Sequence, residues 1–144
     1  MTEQNYKNHM QFVPLFHYFL APLLLLALAG AVTDFVRHIG QGQHRIQLTV
    51  ALLLSLGLFL TSFFARTFAL KAQDRAIRAE ENLRHFALTG KLLDARLSVS
   101  QIIALRFAPD AEFPALAKKA ADSGLSNDEI KKSIQNWRPD HNRA

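Results

Sequence analysis

From Ile46 to Ala65 the chain carries no charged residue. A run of roughly 20 apolar residues, rising about 1.5 Å each as a helix, is what the hydrocarbon of a bilayer demands. At Arg66 charges begin, yet neither Gly nor Pro stops the helix, and residues 66 to 84 continue in good helix formers. One helix is therefore expected to leave the membrane at Arg66 and to continue into water as far as Thr89. Everything else in the chain is arranged around it.

Upstream, Met1 to Gln11 is polar, and from Phe12 to Thr33 the ionisable side chains are His17 and Tyr18, both near the entry. This predicts a first span over 12–36. Pro14 and Pro22 fall in its opening turns, where a missing N–H is tolerated or a mild kink results. Phe12, Phe16, Tyr18 and Phe19 cluster at one end, as interfacial aromatics do. A competing reading is a secretory leader cut after Ala27-Leu28-Ala29, before Gly30. The lack of a basic n-region and the continued apolarity of Ala31 and Val32 favour an intact span.

Between the spans, a turn over 37–45 contains Gly40-Gln41-Gly42 and two basic residues, Arg37 and Arg45. Five basic residues, Arg66, Lys71, Arg75, Arg78 and Arg84, follow the second span, so the positive-inside rule puts the C-terminal half in the cytoplasm. Two spans return the N-terminus to the same side. The C-terminal half, from Arg66, holds 14 of the 17 Lys+Arg and 10 of the 12 Asp+Glu. The absence of cysteine excludes disulfides, thiolate metal sites and cysteine nucleophiles.

Past the membrane, Ala65, Ala69, Ala72, Ala76, Ala79, Leu83 and Phe86 recur at alternating steps of four and three. They form a heptad seam of mostly small residues, a candidate surface for a second copy or for a later helix of the same chain. Asp74 with Arg78 and Glu80 with Arg84 are spaced as favourable i,i+4 pairs. Gly90 ends the helix, and three short helices are expected to follow. The first is opened by Ser98 or Ser100 and stopped near Pro109. The second starts near Asp110 and stops at Gly124, with Phe113, Leu116, Ala117, Ala120 and Ala121 on one face. The third is opened by the capping box at Ser126 and carries Ile130, Ile134 and Trp137 to a stop at Pro139. With Leu92, Leu93, Leu97, Ile102, Ile103 and Leu105 they make a small core that needs support from the long helix or a partner.

The fold class is thus an all-α membrane protein: a two-helix transmembrane hairpin, an extension of the second helix over 66–89, a small cytoplasmic helical domain over 90–138, and a tail over 139–144. Chemistry is thinly represented. Ala120, Gly124 and Ile130 have the spacing of a helix-turn-helix within residues 110–137, but the second helix would offer Asp128 and Glu129 to DNA's negative field. His17 is a possible cofactor or proton-relay group, weakened by its place near the polar entry and by the lack of a histidine in the second span. His38 and His44 read as solvated loop residues, and Trp137 as a core anchor before a partner-binding residue. No phosphate loop, metalloprotease helix or nucleophile elbow is present, so neither an enzyme nor a bound cofactor is expected.

Several strings taken together resemble a family of uncharacterised bacterial two-span inner-membrane proteins, a domain of unknown function. They are Tyr6-Lys7-Asn8-His9, Pro14-Leu15 with His17, Phe68-Ala69-Leu70-Lys71, Gln73-Asp74-Arg75, Ala104-Leu105-Arg106-Phe107-Ala108 and Asn136-Trp137-Arg138-Pro139-Asp140. The resemblance implies a bacterial inner-membrane protein with a cytoplasmic helical tail, and it implies no activity. The expected role is a membrane-anchored scaffold or accessory subunit. Its partners would be the bilayer and either its own second copy or another membrane protein.

Overall fold

The computed structural model describes residues 4–8, 13–42 and 44–140. Among them are five α-helices and no strand. A π-helical segment, Leu15–Leu20, runs into α1, Ala21–His38, and a short 3-10 turn, Ile39–Gln41. The long helix α2 spans Arg45–Thr89. It is followed by α3, Val99–Leu105, α4, Phe113–Ser123, and α5, Asn127–Ser133. The chain divides into two compact units, one of Phe12–Ala69 and one of Met1–Gln11 with Leu70–Ala144, and α2 runs through both. His9 and Phe12, the start of the predicted first span and the last four residues of the tail lie outside the described residues.

In the first unit the wide opening turn has a cause. Pro22 cannot donate to the helical ladder, and the Ala21 N–H reaches back five residues to the Phe16 carbonyl. Half-buried positions then recur at steps of three and four, at Ala21, Leu24, Leu28, Ala31 and Phe35 on α1 and at Leu48, Leu52, Ser55, Phe59, Ser62 and Arg66 on α2. That is the seam of an antiparallel hairpin. Helical structure persists to Gln41, so the connection is shorter than the predicted 37–45 turn, and Gly42 makes it at φ 76°. Two helical segments, Leu15–Gln41 and Arg45–Thr89, are long and apolar enough to cross a membrane, with mean hydropathy of 2.1 and 2.2 over their most apolar 18 residues and none of those residues buried.

The second unit is closed by a core of fully buried Phe107, Phe113, Leu105 and Ile130, joined by Ala104, Ala108 and Ala120. Small residues at those three positions let short helices approach closely enough for a thin core to be dry. Both serine-led capping boxes form: Ser98 accepts from the Gln101 amide, and Ser126 from the Glu129 amide. Gly124 ends α4 at φ 62°, a conformation that disfavours any side chain with a Cβ. Leu92, expected in the core, is 66% exposed.

The last helix departs from expectation. It stops at Ser133, and Ile134 turns to an extended conformation at φ −74°, ψ 122°. The Glu112 carboxylate supplies the reason: it accepts from the backbone amides of Gln135 at 3.0 Å and Asn136 at 3.1 Å and from the Asn136 side chain at 3.0 Å. A charged acceptor outbids the helical carbonyls for those donors. The Arg138 amide then donates to the Phe107 carbonyl at 2.8 Å, which brings Trp137 over the core from outside any helix.

Candidate functional site

The seven seam residues, Ala65, Ala69, Ala72, Ala76, Ala79, Leu83 and Phe86, are all exposed. The chain's own domain leaves uncovered those within its unit, Ala72, Ala76, Ala79, Leu83 and Phe86. It docks instead on another face of α2, where Ile77 and Glu81 are buried and Arg84 and His85 half-buried. At about 100° per residue the two faces lie roughly 150° apart round the helix. Leu83 and Phe86 remain 68% and 51% exposed, so the open face is apolar as well as narrow.

The docking face is organised by Arg84. Its Nε donates to Asp110 at 2.7 Å, one terminal nitrogen to Glu81 at 2.9 Å and the other to the Ala108 carbonyl at 2.7 Å, while the guanidinium lies 4.4 Å from the centre of the Phe113 ring. This corrects the expected Glu80 to Arg84 pair. Glu81, one residue on, is nearly buried and faces the domain, so Arg84 turns towards it. A cleft of about 410 Å³ bordered by Glu80, Glu81, Arg84, Asp110 and Arg138 contains three carboxylates and two guanidiniums, with Arg138 3.9 Å from Glu81. Its charges largely satisfy one another, as in a clamp joining α2 to the loop before α4.

A second tie is made at the end of α2. His85 Nδ1 lies 2.7 Å from the Lys91 carbonyl, its ring meets Phe113 edge-on at 5.7 Å, and Asn82 accepts from the Leu93 amide at 3.1 Å. Gly90, at φ 72°, makes the reversal that brings Lys91 back to His85.

Residues 4–8, part of the polar stretch that opens the sequence, are built into this domain. Tyr6 donates its hydroxyl to Asp128 at 2.5 Å, Lys132 Nζ stands 5.4 Å from the centre of its ring, and the Asp140 amide donates to the nearly buried side chain of Gln4 at 2.7 Å. Asp140 also pairs with the buried Arg106 at 3.1 Å, and the Arg106 guanidinium lies 4.5 Å from the centre of the Phe107 ring. The hydrogen bond to Asp128 raises the Tyr6 pKa above its ordinary value. Asp128 is held below the usual carboxylate range by Lys132 first and by Tyr6 second. Sequence periodicity has no means of finding this strap, because its partners lie 122 and 136 residues away.

The remaining candidates make contacts within the chain. His17 Nδ1 lies 3.1 Å from the Val13 amide and 2.9 Å from its carbonyl, a cap on the helix start. Asp34, which stands alone in the sequence, pairs with His38 at 2.8 Å. Among the described residues no group of three or more His, Cys, Asp or Glu is placed to hold a metal ion. Trp137 is half-buried with its ring 4.8 Å from that of Phe107. In the helix-turn-helix segment Ala120 and Ile130 are fully buried and Gly124 makes the turn. The first turn of α5 is engaged within the chain: Asp128 by Tyr6 and Lys132, Glu129 by Ser126. Asp94 is drawn down to about 2 by its hydrogen bonds from Arg96, which also bridges to Asp122 at 2.9 Å.

These features define an all-helical protein with two apolar helices long enough to span a membrane and a small domain clamped to the continuation of the second. The chain belongs to the family of unknown function DUF6526, whose family model matches residues 1–144. No curated protein and no solved structure matches it.

Proposed function

We propose that this is a non-catalytic, membrane-anchored interaction protein of the bacterial plasma membrane, with both termini cytoplasmic, that pairs with a second copy through the open face of α2. The exposed seam carries this reading: the domain that could have covered Ala72 to Phe86 is docked on the far side of the helix. The membrane part is supported by the exposure of most of the large apolar side chains in the spans, among them Leu26 at 72% and Leu54 at 61%. Water would penalise so continuous a surface. The strap supports an even number of crossings, since Tyr6 and Asp128 must share one side.

Charge placement favours a second copy of the same chain. Two helices leaving one membrane face run parallel, and with Ala76 and Ala79 at the seam, Arg75 and Glu80 fall at the flanking g and e positions. In a parallel heptad pair these meet across the interface, Arg75 of each copy against Glu80 of its mate. The chain has no cysteine, so Ala76→Cys introduces a single thiol. In oxidised native membranes it should give a cross-linked dimer. Arg75→Glu should weaken the cross-link, and Arg75→Glu with Glu80→Arg should restore it. Absence of the dimer for cysteines at both Ala72 and Ala76 defeats the homodimer.

A further inference from the structure

We infer that the groove between the two apolar helices, at the end where charges begin, is a binding site for one anionic phospholipid, with an acyl chain between the helices and its phosphate on Arg66. This rests on the membrane reading above. The groove measures about 460 Å³, within the range of small-ligand sites, and is walled by Leu20, Leu24 and Leu58. It exists because the side chains that α2 presents there are small: Thr61, Ser62 and Ala65 leave room that the leucines opposite do not fill. Its depth is hydrocarbon and its mouth is ionic, the profile of an amphiphile rather than of a polar metabolite.

Arg66 stands at the mouth and is the first charge after the apolar run that begins at Ile46. Its guanidinium carbon lies 5.2 Å from the centre of the Phe16 ring, which steadies the side chain across the groove. A ring face consumes no N–H donor. Among the described residues no carboxylate lies within ion-pair distance of Arg66, so its donors remain for an anion. Guanidinium binds phosphate in a two-pronged geometry that a zwitterionic headgroup, carrying its own ammonium, competes against. Lys71 follows within two turns and adds to the attraction of an anionic surface.

The test uses the full chain purified in a neutral detergent, titrated separately with phosphatidylglycerol and with phosphatidylcholine of the same acyl chains, and read by native mass spectrometry. One phosphatidylglycerol per chain is expected, favoured about tenfold over phosphatidylcholine, the ratio that one charge-assisted contact supplies. Arg66→Gln should bring the two lipids to near parity while Lys71→Gln retains most of the preference. Ser62→Phe, which fills the groove, should lower retention of both. Helix content by circular dichroism shows whether each variant is folded. Equal binding of the two lipids by the native chain overturns the inference, as does an unchanged preference in Arg66→Gln. A lipid-free dimer broken by Ser62→Phe also overturns it, because the groove would then hold a second copy. If instead the chain is released from membranes by alkaline carbonate, the membrane reading itself fails, and that is seen before any lipid is added.

Discussion

Replacing Phe107 by leucine tests whether the small domain is held together where the structure places its centre. Phe107 is fully buried and touches two other features at once: the Trp137 ring at 4.8 Å and the Arg106 guanidinium at 4.5 Å from its centre. Loss of the aromatic pair costs about 0.5–1.5 kcal/mol. Loss of a desolvated cation–π contact costs about 1–2 kcal/mol, Arg106 being only 4% exposed. The change of shape adds up to about 1.5 kcal/mol, and because the contacts share one ring the three losses overlap to give about 2–3 kcal/mol. At a urea dependence of about 1–3 kcal/mol per molar, the midpoint should fall by about 0.7–3 M. Trp137 is the only tryptophan, so its emission in detergent-solubilised full-length protein follows this domain and nothing else. The native emission should also shift, since the ring beside the indole has gone. Leu92→Ala is the control: at 66% exposure it should move the midpoint by less than about 0.5 kcal/mol equivalent. Equal effects of the two substitutions would refute the assignment of the core.

The Glu112 carboxyl is pushed up by burial but drawn down further by the amides of Gln135 and Asn136, leaving its pKa below the ordinary value. A depressed carboxylate stabilises fully above its unfolded pKa of about 4.3 and loses that contribution as pH falls through the folded value. Glu112→Gln should therefore lower the urea midpoint at pH 7 and match the native chain near the acid end of the transition; a gap that is the same at both pH values would count against the carboxylate as the stop of α5. Tyr6→Phe removes the hydroxyl bonded to Asp128 and should speed tryptic cleavage after Lys7 several-fold while leaving the Trp137 midpoint almost unchanged. Unaltered cleavage would mean that the strap is held by other contacts.

How much of this was legible depended on the range of the physics. The helices after Gly90 could be read because their signals are local: Ser98 and Ser126 cap, Gly124 reverses the chain, and the apolar residues of α4 repeat on one face. The same locality misled at α5. Ile130, Ile134 and Trp137 fit one helical stripe, yet Glu112, 23 residues before Gln135, ends the helix early and delivers Trp137 to the core by a different path. The Glu80 to Arg84 pairing failed for the same reason: spacing along α2 could not weigh Asp110 and the Ala108 carbonyl, which lie across the fold.

The seam of α2 lies between these cases. Its period could be read from the sequence, but which side of the helix the domain would take could not, because alanine stripes suit a later helix of the same chain as well as a second chain. Burial of Ile77 and Glu81 assigns the domain to the other face. Arg84 explains why that choice is firm. A guanidinium tied at once to Glu81, Asp110, the Ala108 carbonyl and the Phe113 ring could reach none of them if the helix were rotated to bury Ala76 and Ala79 instead. The node that fastens the domain to α2 is thus also what leaves Ala76 and Ala79 exposed.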